Sequence, residues 1–274
     1  KLGATSQTST SVPVAAKQSA APAGTATPAA GALSATLSAA QPGLGVLPWY
    51  PMWGGALSDR LGLQVNLADG NLVVHATDLA IAGTGLDLVV DRWYNSQLAT
   101  YSNLGANWLF GVGNEVQLDF PGNGTVIYQA PSGYQLSFTQ NQDGSFTSPA
   151  GIDATQVQTS NGSLPKYSLS FHATGVQFQF AVQNISTNGE APLTAVVDQN
   201  GNTISLAYNV NGGYHPPQLS TITDTQGRVA TFNYPPRYQF GAPIKSVTDP
   251  TGRTVAYGSG SMTGVVDAAG NTTT

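Results

Sequence analysis

The 274-residue chain is long enough for one large domain or two smaller ones, and only 8% of its residues are charged against 41% hydrophobic. A net charge of −5, with nine Lys and Arg scattered singly, leaves no basic patch and excludes nucleic acid as a partner. The absence of cysteine excludes disulfides and thiolate metal sites, and fits an exported bacterial protein or a cytosolic one.

Residues 1–45 are Ala, Thr, Ser and Pro with few large apolar side chains, which predicts a flexible linker or a segment threaded over another surface. The chain begins at Lys1 without a leader and its last repeat stops at Thr274, so a fragment of a longer protein is expected. Residues 46–61 change character: Trp49, Tyr50 and Trp53 stand among Pro48 and Pro51, and no strand or helix period fits them. Two readings stand here: aromatics packed onto a sheet end, or a plug or docking peptide.

Strands follow closely from Leu63. Asp69-Gly70-Asn71 between two β-rich runs predicts a hairpin within residues 62–110. Residues 111–192 alternate with period two, at Val116, Leu118 and Phe120, at Tyr134, Leu136 and Phe138, at Tyr167, Leu169 and Phe171, and from Val176 to Val182. Gly and Asn turns punctuate these runs, among them Asp143-Gly144, Asn188-Gly189 and Asn211-Gly212-Gly213. The fold class predicted is all-β, built of many short antiparallel hairpins that form a β-strip spiral. No apolar run approaches the ~20 residues that would span a bilayer as a helix.

Residues 193–274 repeat. Asp198, Asp224, Asp249 and Asp267 are each followed three residues later by Gly201, Gly227, Gly252 and Gly270, and then by Asn202, Arg228, Arg253 and Asn271. Apolar residues precede each aspartate by five and by two positions, and Tyr208, Tyr234 and Tyr257 close the strands that follow the first three. Aspartate accepts backbone N–H bonds at the start of a turn and glycine supplies a positive φ, so each unit reads as strand, turn, strand. A lone hairpin buries too little to stand by itself, which predicts a stacked array.

These repeats, with the tyrosine after each turn, resemble the YD or Rhs repeats of bacterial polymorphic toxins, toxin complex C components, wall-associated proteins and teneurins. Residues 65–96, ending in Arg92, Tyr94, Asn95 and Ser96, are similar to the domain that opens such repeat regions. The likeness runs over roughly residues 62–274. It implies a shell in which the repeats coil into a hollow cocoon around a C-terminal toxin or effector domain of the same full-length chain. It also implies export, to the medium or the cell surface, with secretion-apparatus or cell-surface components as further partners. The family's C-terminal core signature, with its self-cleaving aspartates, is not present, nor is a toxin domain, so this chain is expected to be non-enzymatic.

The titratable residues favour no catalytic site. His75, His172 and His215 lack metal-ligand spacing, and Glu115 and Glu190 are the only glutamates. The run from Asp198 has Asn209 where a calcium loop needs glutamate. Neither metal nor cofactor is expected. Arg92, Arg228 and Arg253 are expected to pair across hairpins with repeat aspartates. The alternative to a shell is an adhesin that contacts glycans through Trp93, Tyr94, Trp108, Tyr128 and Tyr134; a polysaccharide-active enzyme has least support. Sequons at Asn123, Asn161, Asn184 and Asn271 matter only if the source glycosylates exported proteins.

Overall fold

The computed structural model describes residues 20–21, 40–99, 101–183, 190–210, 217–235, 243–258, 264–267 and 269–273. Most of the segment read as a linker, the turns at Asn188-Gly189 and Asn211-Gly212-Gly213, His215 and the sequon at Asn184 lie outside the described residues.

The architecture is all-β, and every strand pairing is antiparallel. An opening sheet orders β1 (Ala20–Ala21), β2 (Met52–Ala56), β3 (Leu61–Asn66), β4 (Leu72–Ile81) and β5 (Leu88–Asn95); beyond the small hairpin β6 (Tyr101–Ser102) and β7 (Gly105–Ala106) it is completed by β8 (Trp108–Phe110), which pairs with β5. The second sheet has 15 strands. Its early part comprises β9 (Gln117–Asp119), β10 (Thr125–Gln129), β11 (Gln135–Gln140), β12 (Phe146–Thr147), β13 (Ala154–Ser160), β14 (Lys166–Phe171) and β15 (Val176–Ala181). These form two meanders, β9 to β12 and β13 to β15, and both lean on one long strand, β16 (Glu190–Val197).

From β16 the repeats run as one continuous strip through β17 (Thr203–Asn209), β18 (Gln218–Thr223), β19 (Val229–Asn233), β20 (Ser246–Thr248), β21 (Thr254–Tyr257), β22 (Val265–Val266) and β23 (Thr272–Thr273). Alternation decides which face is inside: Ile204 and Leu206, Ala230 and Phe232, and Val255 and Tyr257 are buried, whereas Thr203, Ser205, Val229, Thr231 and Thr254 face outward and exposed. A shift of one residue would exchange the two sets, so the pattern fixes the register.

One apolar cluster joins the sheets. Leu88, Val90, Phe110 and Val112 from the opening region pack with Leu193, Val196, Ile204, Leu219, Phe232 and Tyr257 from the strip. The strip therefore does not stand free but curls over one face of the opening sheet, and an apolar gap lined by Leu88, Val112, Leu206 and Ile222 lies between them.

The aromatic segment differs from the expected packing of its rings. Trp49 and Trp53 are 51% and 58% exposed and Tyr50 is half-buried, while Leu44, Val46, Leu47 and Met52 make the buried contacts. Proline removes a donor only at its own position, so β2 starts at Met52, immediately after Pro51, and the segment supplies a strand after all. The rim of contact aromatics also fails to form as expected: Trp93 and Tyr128 are 5% and 1% exposed, each packed into a core cluster, and Tyr94, Trp108 and Tyr134 are half-buried.

Candidate functional site

The repeat turn is the most regular feature of the molecule. In each copy the aspartate N–H donates to the carbonyl four residues on, and the glycine N–H returns to the aspartate carbonyl at 3.0–3.1 Å. The aspartate Oδ1 accepts two further backbone N–H groups, from Asn200 and Asn202, Gln226 and Arg228, Thr251 and Arg253, or Ala269 and Asn271, all at 2.8–2.9 Å. The remaining oxygen, Oδ2, takes the side chain at the fifth position: Asn202 Nδ2 at 2.7 Å, Arg228 Nε at 2.6 Å, Arg253 Nε at 2.7 Å or Asn271 Nδ2 at 2.8 Å.

This closed geometry explains why Asp is followed four residues later by Asn or Arg, since only a donor of suitable reach fills Oδ2. It corrects the expected cross-hairpin ladder: Arg228 and Arg253 pair inside their own turns, and Arg92 pairs with Asp78, which is no repeat aspartate.

Burial alone would push these carboxyls up, but the converging N–H groups outweigh it. Asp198 and Asp224 are held below the ordinary carboxylate range and Asp249 at about 2; Asp267 is lowered chiefly by the Asn271 amide. The repeat glycines sit at φ of +79° to +87°, and a Cβ there would meet nothing within 4 Å. The strain of a side chain is therefore purely conformational. Gly252→Ala is expected to lower stability by about 1–2 kcal/mol, read as a shift in urea midpoint without loss of fold.

The tyrosines bind back along the strip. Tyr208 donates its hydroxyl to the Leu193 carbonyl and Tyr234 donates to the Leu219 carbonyl at 2.9 Å, each reaching the leading apolar residue of its own repeat. Tyr257 follows its aspartate two residues sooner than the others and has a different partner, Asp78 Oδ2 at 2.9 Å on the opening sheet.

That contact is one of two clamps between the strip and the opening sheet. In the first, Asp78 receives Arg92 Nε at 2.7 and 2.8 Å together with the Tyr257 hydroxyl, and the Arg92 guanidinium lies 5.3 Å from the Trp108 ring centroid. Burial raises the Asp78 carboxyl although Arg92 opposes the rise. In the second, the loop Gly83-Thr84-Gly85-Leu86 lies on the first two repeat turns. Thr84 N donates to Thr225 Oγ1 at 2.9 Å, Gln226 Nε2 to Thr84 Oγ1 at 3.3 Å, and the Arg228 guanidinium to the Ala82 carbonyl. A Cβ at Gly85 would lie 2.2 Å from Asp198 Oδ2 and 2.4 Å from Asn202 Nδ2, so only glycine admits the loop.

The Asn95 of the Arg-x-Tyr-Asn-Ser ending is fully buried and holds three segments together. Its Oδ1 accepts from Gly45 N at 2.7 Å and Asn71 Nδ2 at 2.8 Å, and its Nδ2 donates to the Ser132 carbonyl at 3.0 Å.

Glu115 is a buried group whose role the sequence did not reveal. Its carboxylate accepts from Phe110 N at 2.5 Å and from Asn103 N and Nδ2 at 2.8 and 3.0 Å, bracing the 103–115 bend against which Leu219 packs. Burial raises Glu115 to about 7 despite these bonds, and raises Glu190, which stands opposite Asp119 in the β9–β16 register, to about 7 as well.

These two groups bind protons more tightly folded than unfolded, where glutamate titrates near about 4.3. Their contribution is present below that value and lost as pH rises through 7. The lowered repeat aspartates act oppositely: their contribution is present above the unfolded value near about 4 and lost as pH falls, through about 2 for Asp249. Urea midpoints are expected to fall from pH 5 to pH 8, and Glu115→Gln to flatten part of that decline.

His75 Nε2 lies 2.9 Å from Asp91 Oδ2 with its ring stacked on Trp93, and His172 Nδ1 lies 2.7 Å from Asp153 Oδ1 at the surface. Among the described residues no group of three or more His, Asp or Glu side chains could hold a metal ion, and no helix is long and apolar enough to cross a membrane.

The fold and its turns thus define an all-β hairpin-repeat protein with the strip docked on an opening sheet. A family model described as a domain of unknown function (DUF6531) matches residues 62–138, from β3 to the end region of β11. It takes in both the 82–86 loop and the Asp78–Arg92 pair. No curated protein matches the chain at a significant level.

Proposed function

We propose that the chain is a structural, non-enzymatic part of an Rhs/YD-repeat shell, and that the full-length protein encloses or presents an effector domain within it. The observation that carries this reading is the continuous strip β16 to β23. Four turns of one closed design bound its hairpins, its inward face is apolar, and two clamps hold it to a separate opening sheet. Such a strip extends hairpin by hairpin without exposing new edges on its flanks, as a wall requires. The turn aspartates are engaged in hydrogen bonds within their own turns, which supports a structural role for them. The exported or cell-surface setting belongs to the same proposal.

The test is mass spectrometry and negative-stain imaging of the full-length native product. A hollow particle that retains a protease-resistant C-terminal domain supports the reading. A solid rod or filament without cargo overturns it and moves the weight to an adhesive surface role.

A further inference from the structure

At the open end of the β13–β14 hairpin three side chains make one run of hydrogen bonds. His172 Nδ1 lies 2.7 Å from Asp153 Oδ1, and His172 Nε2 lies 2.9 Å from Thr155 Oγ1. A carboxylate only accepts, so the contact at Nδ1 places the ring proton there; in the neutral ring Nε2 is then the acceptor, and the Thr155 hydroxyl donates to it. Carboxylate, imidazole and hydroxyl thus stand in the order that makes a hydroxyl nucleophilic, and both contacts fall within the reach such activation requires.

The strands explain why the three meet. Ala154 pairs with Phe171 and Thr155 with Ser170, so Asp153 and His172 fall opposite each other one step further out, where His172 N donates to the Asp153 carbonyl at 3.1 Å. Asp153 and Thr155 flank the buried Ala154 and therefore share the other, outward face. Underneath, β14 is paired on both sides, with β13 and β15, and carries the fully buried Leu169. Thr155 is exposed, and the His172 and Asp153 side chains are 49% and 74% exposed, so a reagent reaches the group from solvent. Val157, two residues beyond Thr155 on the same face and 46% exposed, offers a short apolar chain a surface to lie on.

We propose that Thr155 is an acylation site, its hydroxyl made nucleophilic by His172 and Asp153, and that it takes a short apolar acyl group from an activated ester or thioester. Thr155 Oγ1 bonds to the acyl carbonyl carbon while His172 Nε2 takes the hydroxyl proton. The bond from that carbon to the leaving oxygen or sulfur then breaks, and the leaving group departs with the proton from His172. The sum is an ester on Thr155 and a free alcohol or thiol. His172 acts as the base, and Asp153 is a positioning residue that fixes the ring and its tautomer. The step modifies the chain itself, and it stands whether or not the full-length protein is a shell.

The probe is p-nitrophenyl acetate, with nitrophenol release followed by absorbance and the acetyl group located by peptide mass spectrometry. Thr231, exposed on β19, is the internal reference. Acetylation at Thr155 is expected to run about tenfold or more faster than at Thr231 and to vanish from that peptide in Thr155→Val. His172→Gln and Asp153→Ala, checked as folded by far-UV circular dichroism, should each slow it by about tenfold or more, and Asp153→Glu should restore it.

Equal rates at Thr155 and Thr231, or an unchanged rate at Thr155 in His172→Gln, overturn the proposal and leave the three side chains as a surface tie across the hairpin. A stable acetyl group on His172 in place of Thr155 overturns it as well, since the imidazole is then the nucleophile. Failure of Asp153→Glu to restore the rate overturns the part assigned to Asp153. Nitrophenol released over many equivalents and abolished by Thr155→Val would overturn the modification reading and, with it, the non-enzymatic role proposed above; the other failures leave that role untouched.

Discussion

Phe110→Ala is expected to destabilise the protein by about 3–5 kcal/mol, the range for emptying a buried aromatic site. Phe110 is 2% exposed and stands edge-on to both Phe232 and Tyr257, with centroids 6.0 and 5.4 Å away. It is thus a side chain of the opening sheet that meets both the second and the third repeat hairpins. The backbone around it is held by the Glu115 carboxylate, so the site has little freedom to collapse into the void. Urea unfolding followed by tryptophan fluorescence reports mainly on Trp93 and Trp108 of the opening sheet, and far-UV circular dichroism mainly on the long second sheet. In the unaltered protein the shared core predicts coincident transitions. In Phe110→Ala both midpoints should drop, and the two probes should separate if the strip detaches first. A loss under about 1 kcal/mol, with coincident curves, would show that the strip holds to the sheet without this contact.

The strip was legible because its information is local. The Asp-x-x-Gly spacing, the flanking apolar positions and the period of two are each enough to specify a turn or a face, and the structure places Asp198, Asp224, Asp249 and Asp267 in identical bonds. What stayed hidden depends on contacts between distant residues. Tyr257 looks like a shortened copy of Tyr208 and Tyr234, yet its hydroxyl bonds to Asp78, 179 positions away. Arg92 lies two residues before Tyr94 in a motif noted only as a resemblance, and no spacing points to Asp78 as its partner. No local feature of the Gly83-Thr84-Gly85-Leu86 loop shows that it rests on the repeat turns. The aromatic segment misled for a different reason: size suggests burial, but Trp53 alternates with Met52 along one strand, and the smaller side chain took the inner side.

The second large effect is expected at Arg92. Arg92→Ala leaves the Asp78 carboxylate, whose side chain is 4% exposed, buried without its counter-charge, and losses of about 3–5 kcal/mol are typical of a broken buried pair. Much of that loss comes from the stranded charge, so two corollaries separate it from lost packing against Trp108. Asp78→Asn/Arg92→Met, which removes both charges, should recover most of the stability, because replacing the whole pair by apolar or neutral groups is often close to neutral. The Arg92→Ala defect should also depend on pH in a defined sense. Burial already raises the Asp78 carboxyl, and removing Arg92 removes the main opposing influence, so the folded value climbs further above the unfolded one. A raised carboxyl contributes stability that is lost as pH rises, so the deficit relative to the unaltered protein should be larger at pH 8 than at pH 5. Urea midpoints of the three proteins at the two pH values test this. A deficit that is independent of pH and undiminished in the double variant would mean that Arg92 acts by filling space over Trp108, and that the Tyr257 hydroxyl alone keeps Asp78 seated in the clamp.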